Sequence, residues 1–363
     1  MKKPFFSVIM PAYNGMKFIN QAVDSVLGQT CQDFELLIVD DCSTDETVTH
    51  LCQQYQLQKQ QTVYQNETAQ LRLIALECNG GIGNARNTAM QAASGAYLVF
   101  IDQDDELRAD ALETIYRKYT AEAGSGEITG PGEITDSYVA DVYAYGYTRI
   151  DEAGKPLMEL PLEVEQGVDL RWDLCTVWTY ALRRDFVMEH QLQFPVDAMN
   201  EDMIFSMQVA RFTDRIVLLH ECLYAHRVNE QSTSNRMSER FDRYPLSREL
   251  VYRTALENYQ YVRTAQDRQM VWLAMLAYHY SIWFGIFRKV PKEVKLKEYR
   301  LHRALLEQYF GDYLHHYRVP LFQPKCRRFI YRLVVWVSYR MEKWFGQRFY
   351  EWFIVKMGNN YPR

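Results

Sequence analysis

The sequence lacks any CxxC pair, and its seven cysteines (Cys31, Cys42, Cys52, Cys78, Cys175, Cys222 and Cys326) are odd in number and scattered. That excludes a zinc ribbon, a thioredoxin-type redox pair and a disulfide framework, and it fits reduced thiols in a cytosolic protein. Long apolar runs are missing too. No stretch approaches the roughly 18 uninterrupted apolar residues of a membrane-spanning helix, and even FIYRLVVWVSYRM carries arginines towards both ends. The opening MKKPFFSVIMPAYNG has too short an apolar stretch before Pro11 for a secretory signal and runs straight into a strand-like pattern. Basic charge is scarce in the first two thirds: residues 1–240 hold 19 Lys+Arg against 36 Asp+Glu, net −17, whereas residues 241–363 hold 22 against 10, net +12. Acidic and basic regions are thus segregated, which predicts two domains with different partners and a boundary near Ser238. No nucleic-acid partner is expected.

What is present is ample for a large core: 48% of the 363 residues are hydrophobic and 24% charged. In the first hundred residues short apolar runs alternate with helix-period segments, the pattern of a parallel sheet wrapped by helices. Strands are predicted at Ser7 to Met10, Phe34 to Val39, Leu71 to Leu76 and Tyr97 to Ile101. Phe18, Ile19, Ala22, Val23, Val26 and Leu27 give one apolar helical face between the first two. Ser43 and Glu46 have capping-box spacing for a second helix, and a third is predicted over 84–93. The glutamine-rich stretch 53–70 reads as a surface insertion. Further on come a helix to about Tyr119, a loop over 124–137, a strand from Tyr138 to Tyr147 and a hairpin turn at Glu152 to Lys155. From Leu246 onward only helical periodicity is seen.

The candidate chemistry sits where predicted strands end, the place where open parallel sheets gather ligands. Asp102-Gln103-Asp104-Asp105 follows AYLVFI, and in an extended chain Asp102 and Asp104 point the same way, so both carboxylates can converge on Mg2+ or Mn2+. A plain acidic turn capping a helix from near Leu107 would read alike. Asp41 ends the second strand and Pro11-Ala12-Tyr13 the first; an aspartate and a tyrosine there suit a nucleobase, or else serve as turn and wall residues. The loop from Asn79 to Asn87 only superficially matches GxGxxG, because Arg86 takes the place of the last glycine, yet an arginine opening a helix can hold phosphate. Glu201 and Asp202 start a predicted helix, where the dipole alone favours carboxylates, and where one of them could deprotonate a hydroxyl. Tyr224, His226 and Arg227, with Ser232 and Ser234 downstream, could close over a diphosphate. Trp178, Tyr180 and Arg184 could line an acceptor cleft, although aromatics in such a segment are more often core.

In order, SVIMPAYNG, VDDCSTDET, NGGIGNARN, YLVFIDQDDEL, TVWTYALRRDF with FPVDAMNEDMIF, and LYAHRVNEQSTS resemble the family 2 glycosyltransferases over residues 5 to about 235. The resemblance implies an α/β GT-A (Rossmann-like) nucleotide-sugar domain over 1–237; the basic all-helical region expected over 238–363 falls outside it and rests on composition and periodicity. It implies an inverting transfer from a nucleotide sugar, with UDP as a family-level expectation, to a hydroxyl of a glycan or lipid-linked acceptor in bacterial surface polysaccharide synthesis. Donor contacts are implied at Pro11, Ala12, Tyr13, Asp41, Arg86, Asp102, Gln103, Asp104, His226 and Arg227. Metal ligation falls to Asp102 and Asp104, the general base to Asp202, and orientation of the base or acceptor to Glu201. No QxxRW-type signature is present, so a single-sugar transferase is expected rather than a processive synthase. A nucleotidyltransferase would carry a glycine-rich loop with a lysine after the first strand, where Pro11-Ala12-Tyr13-Asn14-Gly15 stands. A non-catalytic subunit of a polysaccharide assembly is the remaining alternative, and intact Asp102, Asp104 and Asp202 argue against it.

Residues 324–363 hold nine Lys+Arg against Glu342 and Glu351, interleaved with Phe329, Tyr331, Trp336, Trp344, Phe345, Phe349, Tyr350, Trp352 and Phe353. Two accounts fit: an interfacial helix on the anionic inner face of the cytoplasmic membrane, or a bundle or homo-oligomer contact whose aromatics are core.

Overall fold

In the computed structural model the chain falls into two compact units, Met1–Glu163 with Asp173–Asn229, and Val164–Trp172 with Glu230–Arg363. The structure describes residues 3–60, 63–67, 70–123, 139–163, 171, 174, 176–196, 198–213, 215–229, 247–284, 292–316 and 329–357. The expected loop at 124–137, Ser232, Ser234 and the boundary near Ser238 lie outside them.

The first unit is built on a sheet of eleven strands. They are β1 (Phe6–Ala12), β2 (Phe34–Asp40), β3 (Gln58–Gln60), β4 (Val63–Gln65), β5 (Leu71–Ala75), β6 (Tyr97–Phe100), β7 (Glu106–Leu107), β8 (Val142–Ile150), β9 (Pro156–Leu160), β10 (Tyr180–Arg183) and β11 (Ile216–Arg227). The order across the sheet is β3-β4-β5-β2-β1-β6-β10-β8-β11-β7, with β9 paired to β8. Strands β5, β2, β1 and β6 run parallel. Every residue of β1 and β2 is buried, as expected of central strands covered on both faces. Helix α1 (Ile19–Leu27) lays Ile19, Ala22, Val23 and Val26 into the core, and these alternate at the spacing read from the sequence. Among the described residues the unit also holds helices α2 (Thr47–Gln54), α3 (Gly81–Ala92), α4 (Ala111–Ala123), α5 (Arg184–Glu189) and α6 (Glu201–Phe212), and a 3-10 turn at Val177–Thr179.

Some expectations are corrected. Ser43 is not a helix cap: its hydroxyl bonds the Asp40 carboxylate and accepts from the Asn14 N–H at 2.9 Å, while α2 begins at Thr47, whose N–H reaches Asp45 at 3.0 Å. The helix after the acidic turn starts at Ala111, four residues beyond Leu107. Leu107 itself lies in β7, held antiparallel to β11 through its pairing with Tyr224. Part of the glutamine-rich stretch forms the β3–β4 hairpin at the sheet edge. The hairpin predicted at Glu152 to Lys155 joins β8 to β9, with Gly154 at φ +84° supplying a left-handed turn residue.

The second unit contains helices α7 (Ser247–Tyr261), α8 (Ala265–Phe284), α9 (Lys292–Phe310), α10 (Tyr313–His316) and α11 (Phe329–Met357). Its interior holds the Glu342 carboxylate, which accepts the hydroxyls of Tyr280 (2.8 Å), Tyr299 (2.7 Å) and Tyr313 (2.8 Å) and the Arg303 guanidinium. The C-terminal aromatics divide: Tyr339 and Tyr350 are core, whereas Trp344, Phe345 and Trp352 are exposed. Among the described residues no helix is long and apolar enough to cross a membrane.

Candidate active site

The strand order β5-β2-β1-β6 places a topological switch between β1 and β6, because the chain moves outward through β2 and β5 and then returns to the other side of β1. A crevice opens at such a point beyond the carboxyl ends of the strands. Here those ends deliver Ala12 with Tyr13, Asp41, and Asp102 to Asp105. Pro11 and Ala12 are buried strand residues; β6 stops pairing at Ile9, so the missing N–H of Pro11 costs no bond to it. Tyr13 is 44% exposed at the rim. Its backbone is clasped on both sides by one side chain: the Tyr13 N–H donates to Gln103 Oε1 at 2.9 Å, and Gln103 Nε2 donates to the Tyr13 carbonyl at 3.0 Å. Gly15 makes room for that amide, since a Cβ there would stand 2.3 Å from Gln103 Oε1. Gln103 therefore ties the end of β1 to the acidic turn.

Asp41 is buried, and its two carboxylate oxygens accept the N–H groups of Gly80 and Gly81, each at 2.8 Å. It thereby shapes the loop that opens α3. About one and a half turns farther along that helix stands Arg86, 2% exposed, whose Nη2 meets Asp102 at 2.8 Å and whose Nη1 meets Glu201 at 2.9 Å. The guanidinium lies 5.3 Å from the Phe194 ring. Burial works against its charge, but Asp102, Glu201 and Asp202 outweigh that and raise its pKa. Each terminal nitrogen thus gives one N–H to a carboxylate, and Arg86 joins the acidic turn to the start of α6.

Helix α6 begins after Asn200, which takes a left-handed φ of 59° and so aims Glu201 and Asp202 from the first turn. Burial pushes the Asp202 carboxyl up to about 7, with the Glu201 charge acting the same way against Arg86 and against the Met203 N–H, which donates to Asp202 at 2.7 Å. Glu201 is also raised by burial, and Arg86 opposes the rise. A carboxyl tuned to neutrality beside a charged partner suits a general base.

In the acidic turn Asp102 is partly exposed, and Asp104 has its pKa raised by burial and then by the charge of Asp102. Asp105 is structural: it is buried and accepts the Tyr224 hydroxyl at 2.6 Å and the Arg227 N–H at 2.7 Å. Arg227 also departs from expectation. Its side chain donates to the Asp104 carbonyl (2.9 Å), to the carbonyls of Asp151 (3.1 Å) and Glu152 (2.8 Å), and to Glu106, and it lies over Phe18. It clamps the turn from behind instead of reaching for a diphosphate. Among the described residues no group of three or more His, Cys, Asp or Glu side chains is arranged to hold a metal ion.

An aromatic wall borders the turn. Trp178 stacks on Tyr224 (4.7 Å between centroids) and on His226 (5.3 Å), two residues that share a face of β11, and Tyr147 meets Trp178 edge-on. Burial lowers the His226 pKa, so the imidazole is neutral near pH 7. Tyr180 must be withdrawn as an acceptor residue: it is 0% exposed and its hydroxyl bonds Ser206 at 2.8 Å. Arg184 is likewise occupied by the Ala93 carbonyl, 2.9 Å away. Residues not singled out beforehand include Phe194 and Asn14. The Asn14 side chain accepts the Thr44 N–H at 2.8 Å and so joins the β1 and β2 loops. Its φ of 49° is the kind of left-handed turn that an Asn-Gly pair signals.

A parallel core with a topological switch point, an acidic turn at a strand end and an apposed carboxylate pair on a helix are the features of a GT-A-type fold. The chain belongs to glycosyl transferase family 2, whose model matches residues 7–188. It is similar to the uncharacterized glycosyltransferase EpsJ of Bacillus subtilis, 30% identical over 231 residues covering 63% of this chain, and it spans 62% of EpsJ. Its fold is similar to that of residues 1–349 of S. aureus TarS, solved with UDP-GlcNAc (TM-score 0.60, 21% identity, 85% of this chain and 82% of that one). It is also similar to that of the mannosyltransferase PcManGT of Pyrobaculum calidifontis, solved with GDP-Man and Mn2+ (TM-score 0.50, 15% identity, 94% of this chain and 89% of that one).

Proposed function

We propose that this chain is an inverting glycosyltransferase that moves a sugar from a nucleoside-diphosphate donor, a UDP-sugar, to a hydroxyl of a glycan or lipid-linked acceptor in bacterial surface polysaccharide synthesis. The observation that carries the reading is the buried Arg86, which holds the acidic turn at Asp102 and the carboxylate pair Glu201–Asp202 in one constellation. Asp202 takes the acceptor proton. The freed oxygen then bonds the anomeric carbon from the face opposite the diphosphate, the bond from that carbon to the leaving oxygen breaks, and configuration inverts. Glu201, kept in place by Arg86, orients Asp202. The exposed Tyr13 ring and the loop shaped by Asp41 receive the nucleoside, and Trp178 with His226 walls the sugar and acceptor.

Asp102 and Asp104 fit a hard divalent cation, Mn2+ or Mg2+: two crowded carboxylates, one with its pKa already raised, gain from a shared positive charge. Such an ion supplies neutralisation of the charge that grows on the departing diphosphate. The UDP-GlcNAc of TarS and the Mn2+ of PcManGT are consistent with this reading. The test is a panel of nucleotide sugars with Mn2+. Release of nucleoside diphosphate by the native protein is expected, with a loss of at least roughly a hundredfold for Asp202→Asn at nearly unchanged donor affinity. If Asp202→Asn turns over like the native protein, the assignment fails.

A further inference from the structure

Helix α11 has two faces that differ in a way a solvated helix does not require. One face is core, with Tyr339 at 2%, Glu342 at 0% and Tyr350 at 0% exposure. The other presents Trp344, Phe345 and Trp352 at 63%, 59% and 54% exposure. Phe349 bridges them, its ring 4.8 Å from Phe345 and 5.6 Å from Trp352, so the aromatics form a continuous ladder. The helix breaks at Gly346, where φ is 77° and ψ 170°, and Trp344 and Phe345 stand at that break. The ladder is edged by cations. Arg340 lies 5.4 Å from the Trp344 ring and Arg348 is exposed, while Lys343 turns its Nζ over Tyr339. The helix's own acids do not offset them, because Glu342 is buried and Glu351 is paired with Arg300 at 2.8 Å.

We propose that this ladder is a membrane-docking surface that seats in the headgroup region of an anionic bilayer. Tryptophan and phenylalanine rings ringed by Arg and Lys match the interface between acyl chains and anionic headgroups, where the rings bury and the cations stay with lipid charge. A second copy of the chain is the poorer occupant on two grounds. A twofold contact through this face would pack the same cation-edged patch on both copies, with no acid of the helix free to meet Arg340 and Arg348. The three most exposed rings also offer only about 350 Å² on the usual aromatic areas, well short of the roughly 800 Å² per partner of a stable protein interface. The surface belongs to the helical unit alone, so this proposal and the transferase reading can fail separately.

The test is co-sedimentation of the full-length protein with phosphatidylcholine vesicles, with and without phosphatidylglycerol, at low and high salt. Turnover of nucleotide sugar in solution is measured in parallel. Native protein is expected to pellet only with phosphatidylglycerol, and to be released by salt. The variant W344S/F345S/W352S, with unchanged circular dichroism and unchanged turnover in solution, should bind at least about tenfold more weakly, and Arg348→Glu should weaken binding by a similar factor. If the native protein stays in the supernatant with anionic vesicles at low salt, or if the triple variant pellets like the native protein, the proposal is overturned. Self-association that the triple variant loses, without vesicle binding by the native protein, would reassign the face to a second copy.

Discussion

Replacing Arg86 by glutamine removes the cation that Asp102 and Glu201 share, and the structure sets the scale of the loss. The guanidinium is 2% exposed and its partners are 28% and 14% exposed, so water screens these pairs weakly. With charge centres about 4 Å apart, each pair contributes about 4 kcal/mol at an effective dielectric near 20, and desolvation consumes much of it. Deleting one partner leaves the other charge buried without compensation, which costs about 3–5 kcal/mol. The sign of the pH dependence follows from the carboxyls. Glu201 and Asp202 both have folded pKa values above their ordinary ones, mainly through burial, and Arg86 holds both down. A carboxyl whose folded pKa is raised costs stability once the pH exceeds its unfolded pKa, and the cost grows until the pH passes the folded value. Without Arg86 those folded values climb further. The deficit of Arg86→Gln should therefore be smaller near about pH 5 and larger near about pH 8. Urea unfolding of both proteins at the two pH values measures it. A deficit under about 1 kcal/mol, or one equal at both pH values, would refute the reasoning.

Three further outcomes are expected. Native activity should fall on the acid side with a midpoint near pH 7, because Asp202 must be ionised to accept a proton and its pKa is pushed up to about 7. In Glu201→Gln the neighbouring negative charge is gone, so that limb of the pH–rate profile should move to lower pH, and a shift upward would reverse the roles of the pair. Asp104→Asn replaces a carboxyl whose pKa is raised by burial and by Asp102, so its melting temperature should not fall, while calorimetry should show cation-dependent UDP binding lost. Gly15→Ala would put a Cβ 2.3 Å from Gln103 Oε1 and force the amide off Tyr13. Donor binding should weaken, and adding Gly15→Ala to Gln103→Ala should cost no more than about 0.5 kcal/mol beyond Gln103→Ala alone.

Much of the core was legible because β1, β2 and β6 are buried on both faces and read as unbroken apolar runs bounded by polar residues. The residues at their ends were legible as a set for the same reason. Individual roles were less so, because a role depends on partners distant in sequence. Arg86 meets Asp102 across 16 positions and Glu201 across 115, and nothing in NGGIGNARN indicates either carboxylate partner. Gln103 serves a backbone 90 positions away. Tyr180 and Trp178 lie in one apolar segment, yet Tyr180 turns to Ser206 in the core and Trp178 to His226; a three-residue 3-10 turn over Val177–Thr179 separates their directions. Strand β7 is only two residues long and exists through its pairing with β11, so no local pattern marks it.

The central claim is that Asp202 and the acidic turn carry out a single displacement, and the most direct measurement is the anomeric configuration of the first-formed product from an α-linked UDP-sugar, read by proton NMR. A β-linked product that depends on added divalent cation and is absent with Asp202→Asn is the predicted result. An α-linked product, or undiminished β-product formation by Asp202→Asn, would contradict it.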